Sequence, residues 1–150
     1  MIPARAKHPI NYVDRGQATT YCRAQGKRLP TEEEWEWAAR GGPAGHAYPW
    51  GDEKPNGKAC WSGDAPLVGT CAVGATPAGD SPQGIHDLAG NVFEWTTSRI
   101  DKAGLDRVGR GGSWRDGTPE ALKASRPAGF KVTYRCGFLG IRCAVEPAKP

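Results

Sequence analysis

A chain of 150 residues carrying 21 glycines, 13 prolines and a net charge of +4 is the size of one domain and long enough to bury a core. Thirteen aromatic residues, six of them tryptophan, exclude a disordered chain, and the Gly/Pro content implies a compact but loop-rich fold. No run of 18 apolar residues, signal peptide or lipidation box is present, so no membrane insertion is expected.

The first element in chain order is a helix opened by a capping box at Asp14 and Gln17, with Ala18, Tyr21 and Cys22 on one face and Gly26 at its end. Thr31 and Glu34 open a second helix in the same way. Glu32, Glu33 and Glu34 suit its positive end, Trp35, Ala38 and Ala39 form its buried stripe, and Gly41-Gly42 stops it. From Pro43 to Gly84 turn residues recur without a periodic segment. Short strands are predicted at Val92–Thr97, Val108–Gly111 and Gly140–Val145, and the tail Glu146–Pro150 is expected to fray. No internal repeat or interdomain linker appears, so 1–150 reads as one domain with its core at about 8–145.

Charge is unevenly placed. Residues 1–98 hold 9 Lys+Arg against 11 Asp+Glu, and residues 99–150 hold 11 against 5. A basic final third suits an acidic partner. No Lys/Arg run marks a nucleic-acid patch, however, so no nucleic-acid partner is expected and the arginines are read as paired with local carboxylates. Five cysteines in so short a chain point to disulfides and an oxidising, extracytoplasmic or secreted setting, with one thiol left over.

Four segments carry more information than composition. They are Gly26-Lys27-Arg28-Leu29-Pro30-Thr31-Glu32-Glu33-Glu34-Trp35-Glu36 with Ala38-Ala39-Arg40-Gly41-Gly42 behind it, Tyr48-Pro49-Trp50-Gly51-Asp52-Glu53, Gly84 to Trp95 (GIHDLAGNVFEW), and Arg107 to Trp114 (RVGRGGSW), closed by Gly140-Ile141-Arg142-Cys143. In this order the chain resembles the formylglycine-generating-enzyme, or sulfatase-modifying-factor, family across about residues 8–143. The resemblance implies an α+β fold, a loop-rich variant of the C-type-lectin-like fold with two short helices and short antiparallel strands, stabilised by disulfides and calcium.

Two departures from the family pattern matter. Most of the family's N-terminal part is absent ahead of His8-Pro9-Ile10, which implies a trimmed or minimal version whose strand edge or apolar surface is left for a missing segment or partner chain. Catalytic members hold copper(I) through two cysteines beyond the Gly-Gly-Ser-aromatic motif, and those positions here are Asp116 and Ala121. Copper(I) demands soft thiolates, so no copper and no formylglycine-generating oxidase activity are expected. Related proteins set this domain beside an iron-bearing helical one. His8, His46 and His86 lie in unrelated segments, so no iron is expected either.

The resemblance implies calcium ligation by the Asp87 and Glu94 side chains and the Gly90 and Val92 carbonyls. Such oxygen donors are what calcium takes; alternatively Asn91 and Glu94 bond to loop backbone without metal. At the family's other calcium site the side-chain positions fall on Cys60 and Ala65. A Cys60–Cys71 disulfide is expected to hold that loop instead, with two separate thiols as the alternative. Cys22 and Cys143 match a pair bridged in secreted relatives, and Cys136 is then a buried leftover thiol. Trp35, Trp50, Trp95 and Trp114 lie in the motifs and are read as core, while the burial of Trp61 stays open. Arg40, Arg110 and Arg142 are expected to pair with Glu34, Glu36 or Glu94.

The functional expectation is a non-catalytic recognition module for a protein, peptide or glycan. Arg115, Asp116, Thr118, Glu120, Lys123 and Tyr134, on the surface after Ser113, are the candidate contacts. The family's substrate groove lies there, and the same fold serves as the variable target of diversity-generating retroelements. One alternative is an enzyme of non-copper chemistry using His86, Asp116 or Glu120. The other is an accessory domain, which would show an apolar patch near Met1–Tyr12.

Overall fold

The structure, a computed structural model, describes residues 5–100 and 106–146. Helix α1 spans Arg15–Ala24 and α2 spans Glu32–Ala39. Both begin in reciprocal capping boxes. Asp14 Oδ1 accepts from Gln17 N at 2.8 Å while Gln17 Oε1 accepts from Asp14 N at 3.1 Å. Thr31 Oγ1 accepts from Glu34 N at 3.2 Å while Glu34 Oε2 accepts from Thr31 N at 2.9 Å. Each box satisfies two backbone donors that a helix start leaves orphaned. Past α1, Lys27 N closes back on Cys22 O at 2.8 Å.

Among the described residues four strands form one sheet in the order β3-β2-β1-β4: β1 (Phe93–Arg99), β2 (Asp106–Arg110), β3 (Ala128–Lys131) and β4 (Leu139–Gly140). The β1–β2 and β2–β3 pairs are antiparallel, whereas β4 runs parallel to β1, so the sheet is mixed rather than antiparallel throughout. The β1–β2 register shifts between Trp95 and Arg99, and the buried Thr96 hydroxyl donates to Val108 O at 2.8 Å inside that irregularity. β3 carries one large apolar residue, Phe130, and has no period-2 signature of its own; its pairing with β2 makes it a strand. The predicted strand at 140–145 shrinks to its first residue. Arg142 turns away to reach Glu94, and Ala144 instead bridges to Arg28.

The core lies in three places. Ala18, Cys22, Trp95 and Leu139 pack between α1 and the sheet, Trp35, Ala39 and Leu88 lie under α2, and Tyr48, Trp61 and Leu122 fill the space beneath the central loops. Tyr21 departs from its predicted buried face and is 54% exposed, because the apolar stripe of α1 is only wide enough for Ala18 and Cys22. Trp35 and Trp95 are fully buried, while Trp50 and Trp114 are half-buried with their indole N–H groups donating to Glu53 O and Gly137 O. Trp61 is buried.

Two disulfides form, Cys22–Cys143 and Cys60–Cys71, and Cys136 is a free, buried thiol. The pairs fit an oxidising, extracytoplasmic environment. Among the described residues no helix is long and apolar enough to cross a membrane. Met1–Ala4 and the expected frayed tail beyond Glu146 lie outside the described residues.

Candidate functional site

Strand β2 runs into the tight turn Gly111-Gly112-Ser113, where φ is 100° at Gly111 and 69° at Gly112. A Cβ on Gly112 would stand 2.6 Å from Leu122 Cδ2 and 2.9 Å from Ala121 O, so only glycine passes. The turn delivers Ser113 to a fixed place. Asp116 Oδ2 accepts from both Ser113 N (2.8 Å) and Ser113 Oγ (2.9 Å), and Asp116 O accepts from Ser62 N at 3.0 Å. Ser62 Oγ returns a bond to Trp114 O at 2.8 Å. The segment after Ser113 is thus a rigid shelf clamped to the loop beside the Cys60–Cys71 bridge.

The shelf separates the six candidate contacts into two groups. Arg115, exposed, lies 4.7 Å from the centre of the Phe138 ring, and with Ser113, Asp116, Phe93 and Phe138 it lines a cavity of about 250 Å³. Tyr134, 43% exposed, stacks on Phe130 and lies 6.4 Å from Phe138, extending the same aromatic bed. Thr118, Glu120 and Lys123 belong to the other group, on and around a 3-10 turn at Pro119–Leu122. There Lys123 pairs with Glu120 at 2.7 Å, and Tyr48 donates to Pro119 O. Asp116, bonded to Ser113, is spent on holding the shelf. Phe138 has no chemical signature of its own; only the fold sets it under Arg115.

At the two positions expected from the family resemblance to hold copper thiolates, the structure offers a carboxylate engaged by Ser113 and the methyl group of Ala121 in the 3-10 turn. These donors do not fit copper(I). Cys136 is the one free thiol among the described residues, and burial pushes it above the usual thiol range, away from the reactive thiolate. The enzyme-type candidates have separate partners: His86 Nδ1 lies 2.8 Å from Asp80 Oδ2, Asp116 bonds to Ser113, and Glu120 pairs with Lys123. His8 and His46 lie elsewhere again, beside Thr70 and Asp52.

The 87–94 loop is built around two non-glycine residues at positive φ, Asp87 (54°) and Asn91 (60°). Asp87 Oδ2 accepts from Gly74 N at 2.9 Å. Asn91 clamps Cys71, accepting from its N at 3.1 Å and donating to its O at 3.3 Å. Glu94, buried, accepts from Trp35 Nε1 at 2.6 Å and takes a two-pronged pair from Arg142 at 2.8 and 2.7 Å. Burial works against the Arg142 charge, but Glu94 and then Asp87 more than offset it and hold the guanidinium above its ordinary value. Asp87, Val92, Glu94 and Arg142 share a cavity of about 150 Å³. Two carboxylates with the Gly90 and Val92 carbonyls fit a hard cation in donor type, although Arg142 already holds both Glu94 oxygens.

The expected arginine pairing forms: Arg40 and Arg110 reach Glu36, and Arg142 reaches Glu94. Arg110, its side chain almost fully buried, pairs with Glu32 and Glu36 and donates to Ala124 O. Arg40 also pairs with Glu36, while Glu34 goes to Arg28.

With this geometry in place, residues 1–147 match the family described as sulfatase-modifying factor enzyme 1-like domain. The chain is 40% identical over 167 residues to inactive C-alpha-formylglycine-generating enzyme 2 of Bos taurus, covering 99% of this chain and 54% of that protein. It is 36% identical over 170 residues to the formylglycine-generating enzyme of Streptomyces coelicolor, covering 95% and 54%. It spans about half the length of these curated relatives. Among solved structures it is similar to Treponema denticola variable protein 1, with a TM-score of 0.84 and 22% identity over 96% of this chain and 73% of that one. That likeness bears out the expected variant of the C-type-lectin-like fold.

Proposed function

This chain belongs to the sulfatase-modifying factor enzyme 1-like family, and from that premise we propose that it is a non-catalytic recognition domain. It binds a protein, peptide or glycan through the surface that follows Ser113. The observation that carries this reading is that the two positions expected from the family resemblance to hold copper thiolates carry Asp116, bonded to Ser113, and Ala121. What that position retains is a rigid shelf with an exposed cation and an exposed phenol on an aromatic bed, Arg115 over Phe138 and Tyr134 over Phe130. Arginine and tyrosine are the residues that most often anchor interfaces. The 40% identity to a protein named as inactive and the fold shared with one named as variable support the same reading.

Calcium belongs to this proposal as a structural ion. Asp87, Gly90, Val92 and Glu94 would hold it, and it would supply charge neutralisation and loop rigidity but no chemistry on the ligand. The two disulfides support a secreted or cell-surface location.

The test is a screen of the purified domain against peptide and glycan arrays, repeated with Arg115→Ala and Tyr134→Ala. A ligand whose affinity falls about tenfold in each variant, at unchanged melting temperature, is the expected result. Conversion of a cysteine in a substrate peptide to formylglycine by the copper-treated protein would overturn it. One observation favours a second reading, an accessory domain that packs against another segment. Ile10 (57%) and Tyr21 (54%) are exposed and line one cavity with Ile141 and Cys143.

A further inference from the structure

The most exposed tryptophan lies on the other helix, away from the shelf. Trp37 of α2 is 62% exposed, yet its ring is braced. Gly42 lies against it with φ of 64°, and a Cβ there would stand 2.9 Å from Trp37 Cζ2. The indole walls two cavities. One, of about 450 Å³, is lined by Glu33, Glu36 and Arg40 together with Gly42 and Gly45. The other, of about 570 Å³, is largely apolar, with Ala38, Ile85, Leu88 and Val145.

The charges in these cavities are not equivalent. Glu36 is used by Arg40 and Arg110, and Arg40 is held by Glu36 at 3.0 Å and by Gly45 O at 3.0 Å. Arg142, which borders the apolar cavity, is used by Glu94. Glu33 stands one helical turn before Trp37, on the same face, and among the described residues its carboxylate has no cationic or hydrogen-bonding partner. An exposed, immobilised indole beside a carboxylate without a counter-charge is a site for a cation. The apolar cavity across the ring asks for a hydrocarbon side chain beside that cation.

We propose that Trp37 anchors a second binding surface, separate from the shelf after Ser113, for an extended peptide segment. A lysine or arginine of the segment lies against the indole and Glu33, and an apolar side chain enters the Ile85–Leu88 cavity. Side chains two apart on an extended chain point the same way, so the minimal pattern is basic-X-apolar. An acidic segment meets Glu33, the one glutamate of the first turn of α2 whose charge is not taken by an arginine, and is rejected.

The test follows the indole N–H resonances of 15N-labelled protein, with the Trp37 signal identified as the one lost in Trp37→Ala. The probes are acetyl-Ala-Lys-Ala-Leu-Ala-amide, its Glu-for-Lys counterpart and a neutral oligosaccharide, maltohexaose. The lysine peptide should shift the Trp37 signal saturably, bind at least about fivefold more tightly than the glutamate peptide, and lose about that factor in Glu33→Gln. Arg115→Ala should leave this binding unchanged. No shift at up to about 10 mM peptide, equal binding of both peptides, or movement with maltohexaose alone would overturn the proposal. Binding lost in Arg115→Ala but kept in Trp37→Ala would overturn it too, while leaving the shelf reading intact. Glu33→Gln changes an exposed side chain, so the comparison survives if Trp37→Ala fails to fold.

Discussion

Glu94 illustrates what one buried carboxylate does in this fold. It joins Trp35 of α2, Arg142 beyond β4 and its own strand β1 through three charge-assisted bonds of 2.6–2.8 Å. Removing one partner of a buried pair leaves the other charge uncompensated, so Glu94→Ala should cost about 3–5 kcal/mol in urea unfolding. Asp87 is a different case: it is half-buried and bonded to one backbone amide, so its loss costs the scaffold little. Calcium at hundredfold excess over its dissociation constant should raise the melting midpoint by about 5 °C or more, and Asp87→Ala should abolish the rise. A midpoint indifferent to both calcium and chelator would rule the ion out. At this scale the motif GIHDLAGNVFEW was legible as part of the family resemblance, its oxygen donors being a weak signal by spacing alone. The claim of Arg142 on Glu94 was legible only as one option among several, since an arginine 48 residues away carries no marker of where it will fold back. The exposure of Trp37 was not legible. It sits in the same helix as the fully buried Trp35, and two positions apart on a helix face different ways.

The helices were the most readable elements because their starts are encoded locally. The two capping boxes fall within four consecutive residues each and form as the sequence specifies. The Asp14 carboxylate is held below its ordinary range, first by the Gln17 amide and then, against some burial, by Arg135. Glu34 is held below its own first by Arg28 and then by the Thr31 amide. A depressed folded-state pKa stabilises above the unfolded value and is lost as pH falls through the folded one. Stability should therefore hold down to about pH 4–5 and decline below it. Asp14→Ala should cost about 1 kcal/mol at neutral pH and flatten that decline; an acid limb unchanged in Asp14→Ala would place the dependence elsewhere. Strands were less readable. β1 has a β-prone sequence of its own and β2 offers Val108 between turn residues, whereas β3 exists because β2 offers it a free edge, and β4 keeps two residues because Arg142 pulls the chain out of the sheet.

Across the whole molecule, the disulfide Cys22–Cys143 ties α1 to the segment after β4, closing a separation of 121 residues, while Cys60–Cys71 closes 11. In the chain-entropy description the longer loop restricts the unfolded chain by about 4–5 kcal/mol and the shorter by about 2–3 kcal/mol. Replacing Cys22 and Cys143 with alanine should thus lower unfolding stability more than replacing Cys60 and Cys71, as read by denaturant midpoints under non-reducing conditions. The reverse order would mean that the short bridge, through Asn91 and its clamp on Cys71, organises the core more than chain entropy allows. By itself the sequence determined the family and the two helices, each from residue identity at short spacing or from a motif whose order survives divergence. The cysteine pairs were expected only through the resemblance, and the structure forms both. Only the tertiary structure decided that Asp116 is spent on Ser113, that the six candidate contacts divide into two groups, and that Glu33 beside Trp37 is left without a counter-charge. Those outcomes depend on which charges meet across the fold, and that pairing is set by packing between segments that no local pattern connects.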